Sequence, residues 1–445
     1  MTGYVVVREY ARLTTSPVPK PTLDCAQISQ AAFEWLCRMA GKFRSDGARL
    51  LQVEGRVSLQ LDNFVGVLES PCGQVIEILP KHVDDDDVDG DCQYHAARRL
   101  LRKLISSALD LPVRETSEAA LQRYDAPLPE WVIRQFLDAV GRLTKRGVRS
   151  DYIHVEERRR YLRGQLHVAR QLRLPLQQRH LFEICHSVFD PDRPENRLIR
   201  TCLDLALRST QDPGNWRLAR ELADAFRDIP PSRDSAQDLE RWRSDRLMAH
   251  YEPVKPWCEL ILHRHLPLAV RGEWRGISFL FPMERLFEHH VYQVLRRRLA
   301  PDARLTAQSR LHSLCIHQDK PLFQLRPDML LSQQDRRWVL DAKWKCLESA
   351  DAQGKYGLSQ VDFYQLFAYG HYYQNGSGEM LLIYPAWQGF CAPLPPFAFR
   401  GGLRVWALPF DLETDELRLP DGLEIPIHTV GRRAARSEVD RLLAE

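Results

Sequence analysis

The hydrophobic pattern of this chain changes period along its length, which excludes a single uniform architecture. Residues 1–93 carry short aliphatic and β-branched runs at 59–68 and 74–79, separated by Glu69-Ser-Pro-Cys-Gly73. Runs of that length around a Pro- and Gly-containing break predict a β-hairpin. From Tyr94 the period lengthens: Leu100, Leu101, Leu104, Ile105 and Leu109 share one helical face, with Arg98, Arg99, Arg102 and Lys103 off it. A second helix is predicted over residues 129–146, with Pro129 at its start and Gly147 as its stop. Further helices are predicted over 197–208 and 215–227. Beyond residue 280 the pattern is mixed. An amphipathic helix at 282–299 precedes strands at 323–331, 337–344, 379–384 and 403–408, with a helix at 360–373 between the second and third. That order describes an α/β domain with a mixed sheet.

At 445 residues the chain needs more than one core. The expectation is a multidomain α+β chain: a β-rich N-terminal domain (1–93), a helical middle region (94–235) and a C-terminal α/β domain (236–445, core 280–410). The Asp228-Ile-Pro-Pro-Ser-Arg-Asp-Ser235 stretch is the best linker between the last two.

The formal charge of +3 is the difference between 62 basic and 59 acidic residues, so any nucleic-acid surface must be a local patch. Residues 142–173 hold ten Arg or Lys against three acids, which suits either a DNA or partner surface or a solvated helical face. The run Asp84–Asp87, with Asp89 and Asp91, reads as a solvated loop. The ten cysteines are scattered without a CxxC pair, so a structural zinc site is not expected. No apolar run has the length of a membrane helix and the start lacks a signal peptide, so a cytoplasmic protein is expected.

The chemistry concentrates in Arg326-Pro-Asp-Met-Leu-Leu-Ser-Gln-Gln-Asp-Arg-Arg-Trp-Val-Leu-Asp-Ala-Lys-Trp-Lys345. It reads as a β-hairpin turning at 332–336. Asp341 and Lys343, two apart on a strand, emerge on one face roughly 6–7 Å apart along the backbone. Leu340, Ala342 and Trp344 point to the other. Lys345 shares the face of Lys343 but lies one repeat further from Asp341. Asp328, beside Pro327, can present its carboxylate to the same spot. Two carboxylates can hold a hard divalent cation such as Mg²⁺, which lowers the pKa of a bound water and stabilises charge on a phosphate. A neighbouring lysine can orient that water or stabilise developing negative charge. On the helix that follows, Gln365 and Tyr369 lie at i,i+4, with Asp362 one turn earlier. Upstream, Glu284 and Glu288 are also i,i+4. Glu288 is preferred as a third acid.

The residues Pro327-Asp328…Asp341-Ala342-Lys343 resemble the motif of the PD-(D/E)xK nuclease superfamily, and Gln365 with Tyr369 resembles the QxxxY element of several of its DNA-processing members. More widely, the chain resembles the McrC family. That likeness is carried by Val65-Gly-Val, Ile76-Glu-Ile-Leu-Pro-Lys81, Leu162-Arg-Gly-Gln-Leu166, Glu195-Asn-Arg-Leu-Ile199, Met283-Glu-Arg-Leu-Phe-Glu288 and Tyr364-Gln-Leu-Phe-Ala-Tyr369, as well as the nuclease motifs. The resemblance implies a PD-(D/E)xK nuclease fold for the C-terminal domain and an Mg²⁺-dependent endonuclease subunit, acting on modified, methylcytosine-containing double-stranded DNA. It implies a hexameric, McrB-like GTPase partner, docked through the N-terminal part and stimulated by it, which reads the modified base. No G-x-x-x-x-G-K-[ST] phosphate loop is present, in keeping with GTP being bound by that partner. Asp328, Asp341 and Glu288 are then the metal ligands, Lys343 the catalytic cation, and Gln365 and Tyr369 site residues. Two rivals stand beside this reading: a catalytically inactive factor that only activates an NTPase, and a RecB-like DNA-repair nuclease.

Overall fold

The computed structural model describes residues 3–40, 44–45, 48–49, 51–81, 90–109, 126–262 and 279–428. The expected N-terminal hairpin is there: Phe64–Glu69 pairs antiparallel with Val75–Leu79, which also runs parallel to Tyr4–Arg8. The run at 59–68, expected as one strand, is two. A bend at Asp62 and Asn63, where Asp62 Oδ1 accepts from Asn63 N, sends Ser58–Leu61 into a second sheet with Arg12–Thr14 and Leu51–Val53. Helix Gln30–Ala40 closes this body through Phe33, Trp35 and Leu36. The outer partner of Phe64–Glu69 is the distant strand Phe279–Pro282. Gly66 permits that pairing, because its φ is +134° and a Cβ there would lie 2.2 Å from Phe279 O.

Helices Gly90–Ala108, Leu128–Arg146, Pro194–Ser209, Pro213–Ala225 and Lys255–Ile261 share one large core. Trp131 and Trp257 meet in it edge to face at 5.6 Å. This middle region is not wholly helical. The basic stretch forms a β-projection in which Asp151–Arg159 pairs antiparallel with Phe182–Asp190, joined by the short strand Gln165–Leu166. Its charges pair locally, as Arg158 with Glu183 and Arg159 with Glu157, so a charged surface there does not require a helix. The stretch at 228–235 is packed: Ile229 enters the core and Ser232 N donates to Thr201 Oγ1. The Asp84–Asp87 run and Asp89 lie outside the described residues, as does the side chain of Asp91.

The C-terminal body is a mixed sheet, as expected. Its strand order is Ala303–Ala307, Met329–Gln333, Arg336–Ala342, Gly378–Pro385, Leu403–Asp411 and Phe397–Ala398, with Glu416–Leu417 also on Leu403–Asp411. The first three strands are antiparallel; the third, fourth and fifth are parallel. Helix Met283–Arg297 covers one face, packing Phe287, Val291 and Leu295 on Leu340, Leu381 and Leu408. Helix Gln360–Tyr373 covers the other, packing Leu366, Tyr369 and Tyr373 on Val339, Met380 and Val405. Burial on both faces explains why these strands read as near-continuous apolar runs. The strand expected over 323–331 is broken at Arg326-Pro327-Asp328. The residues before the break belong to a separate hairpin, His312–His317 with Lys320–Leu325. Trp344 Nε1 donates to Glu9 Oε1 at 2.8 Å, and Lys103 pairs with Asp415 at 2.7 Å, tying this body to the N-terminal ones. Among the described residues, no helix is long and apolar enough to cross a membrane.

Candidate functional site

The motif hairpin sets the geometry. Met329 pairs with Leu340, so Asp328 and Asp341 are one step beyond, opposite each other across the two strands. Opposed residues on an antiparallel pair project to the same face. Asp328 Oδ2 accepts from Ala342 N at 2.9 Å, which pins its carboxylate against the end of the motif strand. Asp341 is 2% exposed, and neither of its oxygens accepts an aligned hydrogen bond. Its charge contact is Lys343 Nζ, 2.6 Å from Oδ2.

Glu288 comes from helix Met283–Arg297. Its Oε1 accepts from Gln308 Nε2 at 3.3 Å, and Gln308 N donates to Asp328 O at 2.8 Å, so Gln308 links the helix acid to the strand acid. Burial, with Asp341 nearby, raises the Glu288 carboxyl above its ordinary range. Asp328 is raised well above its own, first by burial and then by Asp341 and Glu288. Burial alone would lower the Lys343 ammonium, but Asp341 and Asp328 beside it hold it protonated beyond its usual range. Three carboxyl groups therefore share one ammonium in a buried setting, where charge not neutralised is costly. Among the described residues, no three of His, Cys, Asp and Glu are gathered so as to surround one ion, so Glu288 does not complete a three-donor cluster with Asp328 and Asp341.

The remaining candidates divide. Gln365 Nε2 donates to Tyr369 Oη at 2.6 Å, and Tyr369 Oη donates to Arg326 O at 2.8 Å. This pair holds the backbone two residues before Asp328 rather than touching the acids. Burial raises the Tyr369 phenol to about 12, so it stays a donor. Glu284 is exposed and adds to the field at Glu9 and Tyr10, away from Asp341. Lys345 departs from the strand-alternation expectation. The strand ends at Ala342, and Lys345 Nζ donates to Gly357 O. Two participants were not singled out from sequence. Gln308 carried no signal, being a lone glutamine. Asp362, seen only as a neighbour of Gln365, has a carboxyl raised by burial and held in check by Lys343.

Such a constellation can take up a divalent cation between two opposed acids, with a fixed ammonium beside it. Comparisons with known proteins bear on the whole chain. A search of curated proteins finds no match. Among solved structures, 92% of this chain superposes on 94% of a chain in the half-complex of Thermococcus gammatolerans McrB AAA+ hexamers with bound McrC, with a TM-score of 0.69 and 18% identity. A chain of the cryo-EM structure of the Thermococcus gammatolerans McrBC complex matches over 66% of this chain and 87% of its own length, with a TM-score of 0.52 and 21% identity. These likenesses establish the fold. The profile of the McrBC 5-methylcytosine restriction system component matches residues 59–385, well over half of the sequence, and the chain belongs to that family.

Proposed function

We propose that this chain is the nuclease subunit of a GTP-driven restriction complex and cuts methylcytosine-containing double-stranded DNA at a PD-(D/E)xK site. The observation that carries the reading is Asp341: a buried carboxylate with no aligned hydrogen bond, facing Asp328 and touching Lys343. A carboxylate serving only the fold would have its oxygens satisfied. Those orphaned oxygens, beside a second acid raised by the same burial, fit Mg²⁺, with Asp328 and Asp341 as its holders and Glu288 supporting from the helix. When bound, Mg²⁺ supplies Lewis-acid stabilisation of the phosphate and a lowered pKa for its water. Lys343, kept protonated by its two acids, presents an ammonium to the attacking water or the scissile phosphate. Gln365 and Tyr369 fix the Arg326–Asp328 corner so that Asp328 does not drift.

The relatives were solved with McrC on McrB AAA+ hexamers, and we infer a partner of that kind here. The β-projection supplies exposed apolar side chains suited to such a contact, including Tyr152, Leu172, Leu176 and Phe189. The test is cleavage of methylated duplex by the full chain with its partner GTPase, GTP and Mg²⁺. Asp328→Ala and Asp341→Ala should abolish cutting while GTP turnover continues. Tyr152→Ser with Phe189→Ser should lower the stimulation of GTP turnover. Wild-type cleavage in either acid variant would sink the site.

A further inference from the structure

The hairpin His312–His317 with Lys320–Leu325 has no place in the metal chemistry, yet the site is built around its root. The chain enters it after Gln308, which bonds both Glu288 and Asp328, and leaves it through Arg326-Pro327 into Asp328. The root is fastened: Tyr373 Oη shares its one proton between Ser309 O and Leu325 O, Tyr372 Oη donates to Leu314 O, and Gln324 Nε2 donates to Arg310 O. The far end is a tight turn with Gln318 and Asp319 both at positive φ.

Its side chains run against the usual logic of a surface. Ile316 is 76% and Phe323 72% exposed, with Leu314 and Leu322 also exposed. Phe323 sits at φ +56°, a conformation that a bulky L-residue rarely adopts. Where it should pair with Leu314 the ladder skips a step. Strain held in an exposed aromatic residue, next to a reactive centre, is a functional signal. Along the chain the hairpin is bounded by Arg310 and Arg326, with Asp319 and Lys320 at its turn; the Arg326 guanidinium donates to Gln324 Oε1.

We propose that this hairpin is a DNA wedge, which lies in a groove beside the scissile phosphate and pushes Phe323 and Ile316 against the base stack to unstack a step. The proposal rests on the nuclease reading above. Two features favour DNA over a protein surface: basic residues flank the apolar ones along the chain, and the second strand leads through Arg326-Pro327 into Asp328 while the first follows Gln308, which bonds Glu288 and Asp328. A two-stranded ribbon fits the major groove, about 12 Å wide, and apolar side chains are what DNA-kinking proteins insert between base steps. A root fixed by hydrogen bonds costs little further ordering on binding.

The experiment uses the full chain with its partner GTPase, and duplex carrying 2-aminopurine near the cut, with Ca²⁺ replacing Mg²⁺ so that cleavage is withheld. Wild-type protein should raise 2-aminopurine emission about twofold or more as the base unstacks. Phe323→Ser with Ile316→Ser should lose that rise and, with Mg²⁺ restored, cut about tenfold more slowly at saturating DNA. Both side chains are exposed, so folding is spared; an unchanged melting temperature checks this. Equal emission in wild type and variant, or no rise in wild type, overturns the wedge. So does a variant that keeps the emission rise but changes the assembly's mass, since the hairpin would then meet protein. Lys343→Ala separates the two readings: wild-type cleavage by it would reject the catalytic site while leaving the emission result to judge the wedge.

Discussion

Two buried carboxylates, one in each of the principal sheets, differ in how fully their surroundings satisfy them. Glu77 is 0% exposed on strand Val75–Leu79. Its oxygens accept from Tyr4 Oη, Arg98 and Leu128 N. Asp341 is as deeply placed, but among the described residues its ion pair is with Lys343 and neither oxygen has an aligned donor. Burial is the same in both; satisfaction is not. A saturated acid contributes stability only while its partners remain, whereas an unsaturated one is a standing cost that a ligand can relieve.

The largest expected effect lies at the unsaturated site. Asp341→Asn should reduce single-turnover cleavage by at least about a hundredfold. It should leave the melting temperature nearly unchanged, because asparagine keeps the shape of the side chain and the Lys343 ammonium, a quarter exposed, can turn to water. Mg²⁺ should raise the melting temperature of the wild type and not of the variant, as expected for a ligand that binds only the folded state. Loss of stability in Asp341→Asn comparable with that of a Glu77 variant would erase the contrast.

Lys343 and Lys345 sharpen it. Lys343→Ala should lose orders of magnitude in cleavage while still binding metal and DNA. Lys345, whose ammonium is taken up by Gly357 O, should cost no more than a few-fold when changed to alanine. Equal losses in the two, measured at saturating DNA, would show that the ammonium beside Asp341 is structural.

Much of this contrast was visible in the sequence, and the reasons for the gaps are physical. Asp341 and Lys343 stood out because charge at spacing two within Trp338-Val-Leu-Asp-Ala-Lys-Trp344 is costly unless used. Helix Gln360–Tyr373 was legible at both ends. The hairpin His312–His317 with Lys320–Leu325 was not, because its apolar residues are exposed, so no burial pattern separates its two faces. Its second strand was merged with Met329–Gln333, although Pro327 between them lacks the N–H that a continuing strand requires. The β-projection was hidden by its charge: Glu156, Glu157, Arg158 and Arg159 alternate across a strand as readily as they would coat a helix. The position of Lys345 could not be read because alternation holds only while the strand lasts, and the strand stops at Ala342.

At the saturated site the expected effect is on stability alone. Arg98 is largely buried against Glu77, so Glu77→Ala removes one partner of a buried ion pair and should cost about 3–5 kcal/mol. Chemical denaturation measures this, and cleavage per folded molecule should be unchanged. A cost below about 1 kcal/mol, the range of surface pairs, would show that Glu77 is not the anchor that its hydrogen bonds describe.

Glu9 lies between the two cases and yields the smallest effect. Its Oε1 accepts from Lys81 N and Trp344 Nε1, while Oε2 is buried without a partner. Burial raises its carboxyl from an ordinary 4.5 to about 7, against the opposing pull of those two donors. A carboxyl raised on folding is most favourable when protonated. Its contribution is therefore complete below the unfolded value and is lost as pH rises from about 4.5 through 7. A shift of that size corresponds to about 3 kcal/mol across the window. Glu9→Gln keeps an oxygen acceptor for both donors and removes the titration. The variant should match the wild type at the acidic end and exceed it in stability above neutrality, flattening the pH profile. Because Trp344 follows Lys343 directly, the comparison should also include cleavage, which the neutral amide is expected to preserve. A Glu9→Gln profile as steep as that of the wild type would place the titration elsewhere and leave Glu9 with the saturated acids.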